Sequence, residues 1–132
     1  MNRLREFVVV FVTLLVAIGC SSNTDKIESL KQLGMAEFTQ AAWAEADQLE
    51  RGEMVYDLLK SEEVIGMPID DVYKLLGKST VYYDHDNIPA YLAGPPNADN
   101  IYGNGYVLAF ISNGSSGVIE GFIFDPGLPS SE

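Results

Sequence analysis

Ile65-Gly66-Met67-Pro68-Ile69-Asp70-Asp71-Val72-Tyr73-Lys74-Leu75-Leu76-Gly77 is the stretch at whose end the spacing of apolar residues changes. Up to Gly77 they recur at helical intervals. Ile69, Val72, Leu75 and Leu76 share one helical face. Asp70 and Asp71 stand in the first turn, where the helix dipole favours negative charge, and Gly77 supplies a left-handed stop. Pro68 reads as the first helical residue, because the N–H it lacks would be unpaired there. Upstream, Met54, Val55, Leu58 and Leu59 mark a longer helix over about residues 49–61. Asp47 is its expected N-cap, with Glu50 and Glu53 near the positive end. After Gly77 the period becomes two. Val81-Tyr82-Tyr83 and Ala90-Tyr91-Leu92-Ala93 read as β segments flanking an Asp84-His85-Asp86-Asn87 turn. The firmest β signal runs from Tyr106 to Ile111, through an Asn113-Gly114 turn, to Val118–Phe124.

Toward the N-terminus the pattern differs again. Met35, Phe38, Ala41, Ala42, Trp43 and Ala46 predict a helical segment over 35–49 whose aromatic residues need a docking site. Residues 20–34 are polar, with Ile27, Leu30 and Leu33 at helical spacing, and read as a tether. Arg3 and Arg5 precede an apolar run from Phe7 to Ile18, and Ala17-Ile18-Gly19 leads into Cys20, the only cysteine. A basic start, a short apolar core and small residues before a cleavage point predict a secretory signal over 1–19. With the cysteine at that point, the segment resembles the lipobox of bacterial lipoproteins, which implies acylation of Cys20. Ser21 after it points to the outer membrane, on the periplasmic side. The expected organisation is a signal at 1–19, a tether at 20–34, one domain at 35–126 and a loose tail at 127–132.

Composition narrows the partners. The chain carries 8 basic and 19 acidic side chains, a net charge of −11, and losing Arg3, Arg5 and Glu6 with the leader makes it −12. Such a surface repels phosphates, so nucleic acid is disfavoured as a partner. The expected partners are the lipid bilayer, through acylated Cys20, and a protein of the envelope. With a single cysteine no disulfide within the chain is available, and packing alone must hold the domain.

Arg51, Met54, Asp57-Leu58-Leu59, Ile65-Gly66-Met67, Asp71-Val72 and Leu75-Leu76-Gly77 together resemble the helical hairpin of the SmpA/BamE family of small outer-membrane lipoproteins. Tyr91-Leu92-Ala93-Gly94-Pro95 is similar to the family's Tyr-Leu-Gly-Pro element with one alanine inserted, and the hairpin around Asn113-Gly114 fits as well. The resemblance covers about residues 51–125. It departs at Pro68, where the family has Ser or Thr, and at Ser115-Ser116. It implies an α+β fold with a helical hairpin packed on a three-stranded antiparallel sheet, here with an extra N-terminal helical segment.

Both faces of the final hairpin are apolar, so both need a cover. Leu108, Phe110, Phe122 and Phe124 are expected on the face away from the two helices, under Phe38 and Trp43 as a lid or against a partner protein. Tyr82, Tyr83, Tyr91, Tyr102 and Tyr106 read first as packing at sheet edges, and second as an aromatic contact surface.

Chemistry has little support. Asp84-His85-Asp86 reads as a solvated turn, since adjacent side chains of an extended chain point to opposite sides. No second histidine completes a zinc set and no nucleophile elbow is present. No catalytic residue, metal or cofactor is therefore expected. The leading expectation is a non-enzymatic, lipid-anchored interaction module of the cell envelope. The competing one is an inhibitor or small-ligand-binding domain resembling β-lactamase-inhibitor folds, and a hydrolase using His85 is third.

Overall fold

The computed structural model describes residues 21–84, 87–112 and 117–128. Residues 1–20, 85–86, 113–116 and 129–132 lie outside them, and with them the expected leader, Cys20, His85 and the expected Asn113-Gly114 turn. In chain order the helices are α1 (Ser21–Ser29), α2 (Gln40–Glu45), α3 (Gln48–Ser61) and α4 (Ile69–Leu76), with a 3₁₀ turn at Leu30–Leu33. The strands β1 (Ala90–Ala93), β2 (Tyr106–Ser112) and β3 (Ile119–Asp125) form one antiparallel sheet in that order. The chain is of the α+β class.

Helix α3 begins as its residues dictate. The Glu50 N–H donates to the Asp47 carboxylate at 2.8 Å and the Asp47 N–H donates to the Glu50 carboxylate at 3.0 Å, a reciprocal capping box. Met54, Val55 and Leu58 are buried, as the stripe predicts. Gly77, at φ 83°, stops α4, whose Val72 and Leu76 are buried while Leu75 packs half-buried at the core margin. Pro68 stands one residue earlier than expected. It is the extended N-cap of α4, not its first helical residue, because it bridges to Val118 while Ile119 bonds both Gly66 and Met67 at the start of β3. Open carbonyls at this end of the helix find side-chain donors. Gln40 Nε2 donates to Lys74 O at 2.9 Å, Trp43 Nε1 to Leu76 O at 3.0 Å and Tyr91 Oη to Gly77 O at 2.6 Å.

Three further expectations are corrected. First, the Phe face is reversed: Leu108 and Phe110 are fully buried on the helix side of the sheet, in one core with Trp43, Leu58, Val72, Leu76 and Tyr91. Phe122 and Phe124, paired across the ladder with Phe110 and Leu108, pack against that same core. Phe38 and Trp43 belong to it too, so they are no lid on a second face: Phe38, Trp43, Tyr91 and Phe110 form a run of edge-to-face rings 5.9–6.5 Å apart. The large rings fill the gap between helices and sheet. The other face carries small residues, Ala90, Val107 and Ala109, over which Val81, Tyr83, Ile88 and Tyr102 fold closely.

Second, residues 27–33 are not a free tether. Leu30 is only 2% exposed, Ile27 and Leu33 pack beside it, and Glu28 pairs with Lys31 at 2.7 Å and Lys60 at 3.8 Å. The ammonium groups of Lys31 and Lys60 lie over the Tyr56 ring. The folded unit therefore starts before residue 35. Third, Val81–Tyr83 forms no strand of the sheet. The preceding hydroxyls take its place along the outer edge of β1. Ala90 N–H donates to Ser79 Oγ at 3.0 Å, Leu92 N–H to Thr80 Oγ1 at 2.8 Å, and Thr80 N–H to Ala90 O at 2.9 Å.

Candidate functional site

The free side of β3 is where the core reaches the surface. Side chains alternate along a strand, so Phe122 and Phe124 both lean to the helix side. A central strand would bury them there, but β3 is last in the sheet and they stay half-buried. Phe124 stacks on Tyr106, its diagonal neighbour on β2, at 5.1 Å with ring planes 11° apart. Ile123, on the opposite face, is 37% exposed.

Two grooves meet at Phe122. One, of about 240 Å³, is lined by Leu30, Phe122, Phe124 and Leu128 together with the exposed Lys26. The other, of about 230 Å³, is lined by Ile27, Leu59, Val64, Ile65 and Phe122 together with Glu62 and Glu63. Each falls below the roughly 300–1,000 Å³ of small-molecule sites, so each suits a side chain better than a metabolite. Acidic groups dominate the surroundings, with Glu63 and Glu120 exposed and Asp125 half-buried at the end of β3.

A third groove, of about 260 Å³, gathers three cations, Arg51, Lys74 and Lys78, beside Trp43. Arg51 Nε donates to Trp43 O at 3.0 Å and its guanidinium lies 4.8 Å from the Trp43 ring centre. Burial holds the Arg51 pKa below the ordinary value. Lys74 also pairs with Asp71 at 3.8 Å. On the second face, Tyr83 packs on Tyr102 at 4.7 Å, and burial, then the Asp125 carboxylate, raises the Tyr83 pKa. Tyr82 is 56% exposed, so of the five tyrosines it alone stands clear of packing.

Of the four phenylalanine and leucine residues expected to form a contact face, Leu108 and Phe110 are out of reach, and Phe122 and Phe124 are accessible along one side. Cys20, His85 and Asp86 lie outside the described residues, while Asp84 is exposed in a left-handed conformation at φ 61°. Among the described residues no group of three His, Cys, Asp or Glu side chains converges as metal ligands. The sequence reading missed Ile27, Leu30, Leu59, Val64 and Leu128 as groove walls. The available signal was the helical spacing of Ile27, Leu30 and Leu33, masked by the polar residues between them. No helix among the described residues is long and apolar enough to cross a membrane. Protein-family profiles, curated sequences and solved structures contain no match to this chain.

Proposed function

We propose that the chain is a lipid-anchored, non-enzymatic interaction module of the bacterial cell envelope, held on the periplasmic side of the outer membrane through acylated Cys20. The observation that carries the interaction role is the half-buried pair Phe122 and Phe124, with grooves on both sides of Phe122, on a chain whose net charge would otherwise favour solvation. Apolar grooves rimmed by polar residues are places where proteins bind one another, and aromatic residues are enriched at such contacts. The anchor is supported by the basic start, the apolar run and the Ala17-Ile18-Gly19-Cys20 junction. The finer fold reading, a helical hairpin on the sheet as in the SmpA/BamE family, draws its support from the Ile65-Gly66-Met67 and Leu75-Leu76-Gly77 elements. Acyl chains add about 0.8 kcal/mol per buried CH₂, and two or more hold a protein stably on a bilayer.

Fractionation tests this. The native chain is expected in outer-membrane vesicles, released by detergent and not by high salt, and Cys20→Ala is expected in the soluble fraction. A native chain that is already soluble, or a Cys20→Ala chain that stays detergent-dependent, overturns the anchor.

A further inference from the structure

The two edges of the sheet are treated differently. On β1 the outward backbone groups of Ala90 and Leu92 are met by Ser79 and Thr80. On β3 the start of the edge is covered in the same way, since Ile119 N–H donates to Met67 O at 2.8 Å and Gly66 N–H donates to Ile119 O at 2.7 Å. Beyond Ile119 that cover ends.

The register gives the direction of the remaining groups. Phe110 N–H donates to Pro89 O at 3.0 Å, so Phe110 turns its backbone toward the β1 side and away from β3. The pair Phe110 and Phe122 is thus of the non-hydrogen-bonded kind, and Phe122 directs its N–H and C=O away from β2. Alternation carries the same direction to Phe124, opposite Leu108, while Gly121 and Ile123 bond inward. Among the described residues nothing pairs with the outward groups of Phe122 and Phe124. Their side chains flank the two grooves that meet at Phe122.

We infer that this edge takes an extended peptide as a fourth strand, its backbone pairing with Phe122 and Phe124 and its alternate apolar side chains entering the two grooves. This rests on the interaction reading above and names the class of partner. Strand addition of this kind draws affinity from main-chain bonds and specificity from pockets for alternate side chains. Charge selects the occupant. Among the described residues that line the two grooves Glu62 and Glu63 stand against Lys26, and Glu120 and Asp125 lie on β3 itself, so acid prevails along the edge and the peptide carries lysine or arginine on its flanks. A second copy of this chain would bring an equally acidic edge and a net charge of the same sign.

Amide hydrogen exchange on the full chain in detergent tests the inference, with a short lysine-flanked peptide of alternating valine and threonine as probe. In the free chain the amides of Phe122 and Phe124 are expected to exchange at least tenfold faster than those of Gly121 and Ile123. Adding the peptide is expected to slow the first pair at least tenfold, and a backbone N-methylated version of the peptide is expected to leave them fast. Four results overturn the proposal: slow exchange at Phe122 and Phe124 in the dilute free chain, slowing with protein concentration alone, no response to peptide, or equal protection by the N-methylated peptide. The second of these would assign the edge to a second copy. The Cys20→Ala chain gives the same exchange pattern if the edge binds peptide, so a failed anchor and a failed edge are told apart.

Discussion

Gly52, buried in the middle of α3, sits where the helix meets the chain after β1. A Cβ there would come within 2.4 Å of the Gly94 Cα and 2.5 Å of its nitrogen, both backbone atoms with no freedom to swing away. Gly94 is held in turn, donating its N–H to Gln48 O at 2.8 Å and accepting at its carbonyl from Gln48 Nε2 at 3.0 Å. At an open helical site, Gly→Ala gains about 1 kcal/mol in propensity. Here Gly52→Ala should instead lose about 1–3 kcal/mol through overpacking, and a urea titration reads the sign. Tyr91 makes a second prediction. Its buried hydroxyl donates to Gly77 O, and burial raises its pKa well above the ordinary 10.0. Folded Tyr91 stays neutral where unfolded tyrosine ionises, so its contribution is complete below pH 10 and declines above it. Tyr91→Phe should cost about 0.5–1.5 kcal/mol at neutral pH by removing this hydrogen bond to the exposed Gly77. It should also flatten the fall of stability above pH 10, with Tyr83 supplying a smaller remainder in the same direction.

At the scale of elements, α1 and the 3₁₀ turn are the part whose role changed most between sequence and structure. Leu30→Ala should cost roughly 2–5 kcal/mol if the segment is part of the core. A free tether would register within about 0.5 kcal/mol, as at a surface site, and thermal melts of the two chains separate the cases. The physical reason for the misreading is visible in the residues. Ile27, Leu30 and Leu33 show the helical period, yet the segment is too short and polar to announce that a partner helix waits for it. Helices α3 and α4 were legible because their signals are local: Asp47 with Glu50 at one start, Gly77 at one stop, and an apolar stripe between. The strands were legible as strands, but their sidedness was not. A period of two divides Tyr106–Ile111 into two faces without saying which meets the helices, and here both sets are apolar. Volume gives the answer, with Phe110 and Tyr91 in the deep gap and Ala90 and Ala109 beneath a thin cover. Val81–Tyr83 has strand-like residues, but the hydroxyls of Ser79 and Thr80 had already taken the edge.

Across the whole molecule, the docked N-terminal segment fixes something that composition alone would leave open. Helix α1 covers Ser21–Ser29, and Leu30, nine residues after Ser21, is in the core. At about 1.5 Å per helical residue that is a stalk of roughly 15 Å, where the same stretch fully extended would reach more than twice as far. Were Cys20 acylated, the domain would ride close above the lipid headgroups on a stiff mount and sweep a thin layer of the periplasm. Its encounters would then be those of neighbours drifting in the same sheet of membrane, a search in two dimensions that favours partners already resident there.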